Sequence, residues 1–308
     1  MLIMENHVQG ITEEQQQLEA NFVSAAELSS EITGEMLLMK QIHEIPTLVE
    51  PLFPKVGLAC LAGSSDTGKS AFLRQMVMAV SAGLQSFLGM KLNTVHQSAY
   101  YVSTEDDETA TAYLLNRQNT DLDIPPSNLK NLRFMFESEN IVAELDQVRL
   151  FLNQYSQLAN KYQCLIIFLH HCGKRTENFM PSKHNLLGSQ AFEAKMRLVL
   201  ELRSDVADKT VKHLCCVKGN YLSADYKTES IKLLFSEFLT FRETGERVPF
   251  ESLVPISGDE DDKYELVMEM KAEGQTLEEI AKTIGYKDKS GVSKFIARYE
   301  KKKGIIHG

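Results

Sequence analysis

An α/β fold on a mainly parallel sheet, followed by a small all-helical unit, is what this 308-residue sequence predicts, and three observations predict it. From residue 56 to about 241, apolar strand-like runs alternate with helical stretches, the pattern of a sheet covered on both faces. The run Gly63-Ser64-Ser65-Asp66-Thr67-Gly68-Lys69-Ser70 sits between the apolar segment 56–62 and a helical stretch. Beyond the acidic stretch 255–262, marked by Pro255 and Gly258, the pattern changes to three short helices with a basic end.

Each element follows from local chemistry. Residues 1–43 form an acidic, Gln-rich leader, expected to be partly disordered, with short helical patches between Glu13 and Leu28. Ile45 to Pro54 is a Pro-punctuated approach to the first strand. After the glycine-rich run, Phe72, Leu73, Met76, Val77 and Val80 make an apolar stripe at helical spacing, and Gly83 suits the stop. Residues 98–103 predict a strand, 110–117 a helix and 131–136 a strand. Leu145, Val148, Leu152, Tyr155, Ala159 and Tyr162 then line one face of a long helix that feeds the buried strand 164–169. Strands at 197–202 and 213–217 and a hairpin region over 231–241 close the domain, which spans 44–254, with 255–262 as a linker. In the domain 263–308, Thr276 with Glu279 three residues on predicts a capping box for helix 277–284, Gly285 ends it, and a last helix covers 290–302.

Composition narrows the function classes. At 43% apolar residues the chain can bury one large core and a small appendage. No apolar run approaches the length that spans a bilayer, and the start lacks a basic-then-apolar signal, so a cytoplasmic protein without a membrane partner is expected. The five cysteines, Cys60, Cys164, Cys172, Cys215 and Cys216, lack metal spacing and read as reduced core residues. The net charge of -9 is unevenly spread: from Lys263 onward 10 Lys and Arg stand against 7 Asp and Glu, so only the tail is basic.

The chemistry centres on residues 63–70, which fit G-x-x-x-x-G-K-[ST] at every fixed position. The two glycines permit the tight turn that lets Gly63, Ser64, Ser65, Asp66, Thr67 and Gly68 face a phosphate with their backbone N–H groups at a helix N-terminus. Lys69 adds a point charge near the β- and γ-phosphates, and the Ser70 hydroxyl can ligate Mg²⁺, so ATP and Mg²⁺ are the expected ligands. Strand 98–103 runs into Thr104-Glu105-Asp106-Asp107-Glu108, at the sheet edge where a nucleotide lies in such folds. Glu105 is the candidate to orient or deprotonate the attacking water; the alternative is an acidic loop that solvates a strand end. Strand 165–169 likewise runs into His170-His171-Cys172-Gly173-Lys174, where a polar side chain can sense the γ-phosphate or merely cap local structure.

Five segments in order, IPTLVEPLFPKVGLACLAGSSDTGKS, AYYVSTEDDETA, CLIIFLHHCGK, LLGSQAFEAKMRLVLEL and VKGNYLSADYK, resemble the RecA-like AAA-family ATPases of mobile elements, relatives of the RepA type of hexameric replicative helicase. The resemblance covers roughly residues 44–254 and implies a RecA-like P-loop NTPase core that assembles as a homo-oligomer, a hexamer in that family. It implies Glu105 as catalytic base, His171 as γ-phosphate sensor and Lys218 as a basic finger reaching the neighbouring subunit's nucleotide, with Arg197 as a further carry-over. Two departures stand out. Asn220 occupies the place where the family has a second basic residue. The second acidic motif, an apolar strand ending in an Asp that holds Mg²⁺ through water, is missing: only ESENIVA separates Phe136 from the helix near Glu144. Asp146 belongs to the helical periodicity, while Glu137 could partly substitute. Either an internal segment is lost, or neighbouring strands re-register to close the gap.

The tail segment LEEIAKTIGYKDKSGVSKFI resembles a helix-turn-helix core. Lys289, Lys294, Arg298, Lys301 and Lys302 are then the expected DNA contacts; a helical protein-binding unit with a solvated basic face is the alternative. Two functions are carried forward: an oligomeric ATPase acting on DNA in replication or transfer of a mobile element, and a nucleotide-sensing DNA-binding regulator with little or no turnover. A small-molecule kinase is disfavoured, because no substrate lid or phosphoacceptor signature is visible.

Overall fold

The structure, a computed structural model, describes residues 32–136, 145–173, 177–186, 190–254, 260–272 and 274–304. The leader patches at 13–28, Glu137 with the segment 137–144, Lys174 and most of the linker lie outside the described residues. A short helix α1 (Gly34–Met39) is followed by β1 (Thr47–Val49), β2 (Phe53–Pro54), β3 (Gly57–Gly63) and α2 (Lys69–Ala82). Next come β4 (Ser86–Phe87), β5 (Met90–Lys91), β6 (Ala99–Ser103), α3 (Glu108–Leu122), β7 (Leu132–Phe136), α4 (Leu145–Lys161) and β8 (Leu165–His171). Then α5 (Gln190–Lys195), β9 (Leu198–Ser204), β10 (Val211–Gly219), β11 (Glu229–Phe235) and β12 (Phe241–Pro249) lead to α6 (Glu260–Ala272), α7 (Leu277–Thr283) and α8 (Lys289–Lys303).

Six strands pair in the order β12-β11-β10-β9-β3-β8. The pairings of β3 with β8 and with β9 are parallel, as is that of β6 with β7. The flank β9 to β12 is antiparallel, because only the short turn after Ser204 joins β9 to β10, and a parallel return would need a crossover of a dozen residues or more. All seven residues of β3 are buried, as expected of a strand covered on both faces. Among the described residues β8 ends this order, and the parallel pair β6–β7 belongs to the same sheet.

Helix α2 is buried almost all round, from Lys69 to Ser81, and packs against β3, β6 and β7. Its two large polar residues within the core are satisfied. Arg74 Nε donates to Gln118 Oε1 of α3 (3.1 Å). Gln75 pairs with the Phe241 backbone twice, donating to its carbonyl (2.9 Å) and accepting from its N–H (2.7 Å). The β11–β12 turn is therefore fixed to α2, and Arg117 and Gln118 of α3 bind the turn's carbonyls at Glu237 and Leu239. The result is a rigid wall beside the start of α2.

Helices α6 to α8 enclose a separate core of Tyr264, Val267, Met270, Ile280, Val292 and Phe295. Thr276 and Glu279 form the reciprocal capping box at α7, and Asp288 caps α8. Phe179, from the loop after β8, completes this core and is only 5% exposed.

Candidate functional site

The tip of β3 turns sharply into α2. Gly63, Asp66 and Gly68 adopt positive φ (157°, 64° and 92°), and the Gly68 N-cap has no side-chain bond, so the first N–H groups of α2 carry no side-chain cap. Two close approaches require glycine. A Cβ on Gly63 would meet the Leu202 carbonyl at 2.5 Å, and one on Gly68 would meet the Phe241 ring at 2.9 Å. This strand-turn-helix cradle, lined by backbone donors, fits a phosphate group. Within it Thr67 Oγ1 and Lys69 Nζ both donate to the Ser64 carbonyl (3.0 and 2.7 Å). Burial lowers the Lys69 pKa, and the nearby Cys172, Glu105, Asp66 and Glu177 oppose that shift.

The parallel register sets Gly63 opposite His171 and Ala62 opposite Glu201, so the end of β8 and the middle of β9 flank the end of β3. His171 Nε2 lies 3.8 Å from Glu105 Oε1 across the mouth, and both side chains are largely exposed. These are the two groups the sequence picked out. Glu105 is set by its neighbours: Ser103 Oγ donates to the Asp106 carbonyl (2.8 Å), Asp107 caps α3, and Arg74 stands 3.9 Å from the Asp106 carboxylate. Burial raises the pKa of Tyr101 on β6, and the nearby Arg74 and Ser70 oppose that shift. Arg74 thus ties α2 both to Gln118 of α3 and to the acidic strand tip at Asp106.

Other predicted residues lie elsewhere. Because β10 runs antiparallel to β9, Lys218 stands opposite Val199, toward the end of the sheet away from the cradle. Its ammonium donates to the Glu193 carbonyl (2.7 Å) and pairs with the Glu193 carboxylate (3.1 Å) at α5. In α8, Lys289, Lys294, Arg298, Lys301 and Lys302 are all exposed. Arg298 and Lys302 bind Glu260 at 2.7 and 2.8 Å, so part of the basic face is neutralised within the helical unit.

Sequence reasoning missed three features. The carboxylate of Glu177 accepts a hydrogen bond from the Ser64 hydroxyl inside the cradle. Glu201 and Arg203 form a buried pair (2.8 Å) on β9, where burial pushes the Glu201 carboxyl up against the Arg203 charge. Lys212 on β10 is nearly buried and bonds Ser204 Oγ at 2.7 Å, close enough to Asp66 and Glu177 to feel both charges. The available signal was polar residues interrupting apolar strand runs, as in LVLELRS.

Residues 24–143, less than half of the chain, match the family described as "AAA domain". No curated protein matches the sequence. Among solved structures, the ATPase domain of a helicase superposes with a TM-score of 0.50 at 11% identity, over 73% of this chain and 98% of that one. The fold is that of a RecA-like ATPase domain. At that identity the likeness is one of fold. No helix among the described residues is long and apolar enough to cross a membrane.

Proposed function

We propose that the chain binds ATP with Mg²⁺ at residues 63–70 and, as a cytoplasmic homo-oligomer, hydrolyses it to act on DNA in replication or transfer of a mobile element. The observation that carries this reading is the uncapped start of α2, framed by Gly63 and Gly68, with Glu105 and His171 facing one another across its mouth. The backbone N–H groups from Ser64 to Gly68 bind the β-phosphate, and Lys69 leaves the Ser64 carbonyl to neutralise the phosphate oxygens. The Ser70 hydroxyl would hold Mg²⁺, and the ion would supply charge neutralisation to the triphosphate. Glu105 takes the proton of the attacking water and His171 donates to the γ-phosphate, a reading supported by their 3.8 Å separation. Lys218 serves the neighbouring subunit's nucleotide in a hexamer, once released from Glu193. The tail acts as a helix-turn-helix whose exposed Lys289, Lys294, Arg298, Lys301 and Lys302 meet DNA phosphates.

One observation favours the second reading, a nucleotide-sensing DNA-binding regulator: only ESENIVA separates Phe136 from the helix near Glu144, so the sequence lacks the second acidic motif. Steady-state ATP turnover with and without single-stranded DNA separates the two. The motor reading expects DNA-stimulated turnover that falls by about two orders of magnitude or more in Glu105→Gln. Turnover that ignores both DNA and the substitution refutes it.

A further inference from the structure

Ser64 is held from two sides. Its carbonyl accepts Lys69 and Thr67, while its hydroxyl donates to Glu177. Glu177 comes from a loop rooted on the strands that flank the cradle. The loop leaves β8 at Cys172, whose N–H donates to the Gly63 carbonyl (3.0 Å) and which bridges to Leu186. It returns at Asn185, whose amide donates to buried Glu201 (3.2 Å), as does the Ser182 N–H (3.3 Å). Two residues beyond Glu177, the Phe179 side chain enters the core of the C-terminal helical unit beside Tyr264, Val267 and Ile280. Met180 packs instead under Cys215, Phe250 and Leu253, where β10 meets the end of the sheet domain.

We propose that Glu177 is a gate on the phosphate loop and that Phe179 ties this gate to the C-terminal helical unit, so that triphosphate entry and the seating of that unit are coupled. The inference rests on the nucleotide reading above. A carboxylate bonded to Ser64 adds negative charge beside Lys69 in the cradle, and it repels a triphosphate brought there. Admission of the nucleotide therefore displaces Glu177. Two residues of chain span at most about 7 Å, and the far end of the loop is held by Glu201, so a displaced Glu177 pulls on Phe179. By linkage, a ligand that draws the helical unit off Phe179 frees the gate and tightens nucleotide binding.

The test uses the full chain. MgATP affinity is measured by calorimetry for the wild type and Glu177→Gln, and amide exchange over 264–299 is followed with and without MgATP for the wild type and Phe179→Ala. If the gate is closed nine-tenths of the time, Glu177→Gln binds about tenfold tighter. MgATP speeds exchange at Val267, Ile280 and Phe295 in the wild type, and that response disappears in Phe179→Ala, whatever the variant's basal exchange. Equal affinities for wild type and Glu177→Gln, both binding, overturn the gate. An affinity gain without the exchange response, or a response that persists in Phe179→Ala, overturns the link. Absence of binding in both proteins is a different failure: it removes the nucleotide reading, and this inference with it.

Discussion

Replacing Gly68 by alanine strikes the cradle at a position where backbone and packing both demand glycine. Gly68 has φ of 92°, and the added methyl would stand 2.9 Å from Phe241 Cζ and 3.4 Å from the Phe235 ring. A left-handed backbone costs an L-residue about 1–2 kcal/mol. Overpacking costs about 1–3 kcal/mol, and Phe241 has little room to yield: it is 1% exposed, edge-on to Phe72 at 5.4 Å and tied through its backbone to Gln75. Together these give about 2–5 kcal/mol. If even the lower figure falls on the loop, ATP binding weakens by about thirtyfold. Any share that falls on the fold lowers the melting temperature by about 2–4 °C per kcal/mol, as for a domain of some 200 residues. Calorimetry with MgATP and thermal unfolding read the two shares. Adding Phe241→Leu to Gly68→Ala restores the packing share but not the backbone share, so the pair is coupled and the rescue is partial. Wild-type affinity together with a wild-type melting temperature in Gly68→Ala refutes the reasoning.

Further predictions concern the helical unit. Glu260→Gln releases Arg298 and Lys302 from their shared carboxylate, so DNA affinity at low salt rises several-fold and the salt dependence steepens, by fluorescence anisotropy; an unchanged slope counts against α8 as the DNA face. Acid should loosen this unit. The pKa values of Glu260, Asp261 and Asp288 are all lowered, first by side-chain hydrogen bonds from Lys302, Lys303 and Ser290 respectively. Carboxyls depressed on folding contribute stability that is complete above their unfolded values near 4.5 and 3.8 and is lost as pH falls through the folded values. Amide protection in 264–299 should thus be flat from pH 7 to 5 and fall below about pH 4, and less steeply in Glu260→Gln.

What the sequence makes legible is what local geometry dictates. The residues 63–70 are recognisable because a turn with three positive φ values leading into an uncapped helix tolerates few side chains. The capping box of Thr276 and Glu279 and the long helix 145–161 are equally local, one a hydrogen-bond pair three residues apart, the other a periodic stripe. Glu105 and His171 can be placed because strands that alternate with helices deliver their C-terminal ends to one edge, where both residues stand. The antiparallel flank is harder to foresee, since a short apolar run carries no direction until its connection is counted. Least legible are long-range polar contacts. Gln75 meets Phe241 across 166 residues and Ser64 meets Glu177 across 113, and no periodicity links such partners. The basic tail shows the reverse limit: its charges stand out in the sequence, but Glu260 and Asp261, which neutralise three of them, precede the segment in which they were counted.

The central claim is that residues 63–70 grip a triphosphate, and titration of MgATP into the wild type and Lys69→Ala tests it most directly. Lys69 holds its ammonium inside the cradle, on the Ser64 carbonyl, and its removal leaves the fold's main polar pairs untouched. Saturable binding by the wild type, weakened by about a hundredfold or more in a Lys69→Ala protein that melts normally, is the expected result. Equal affinity in the two proteins, or no binding by either, contradicts the account.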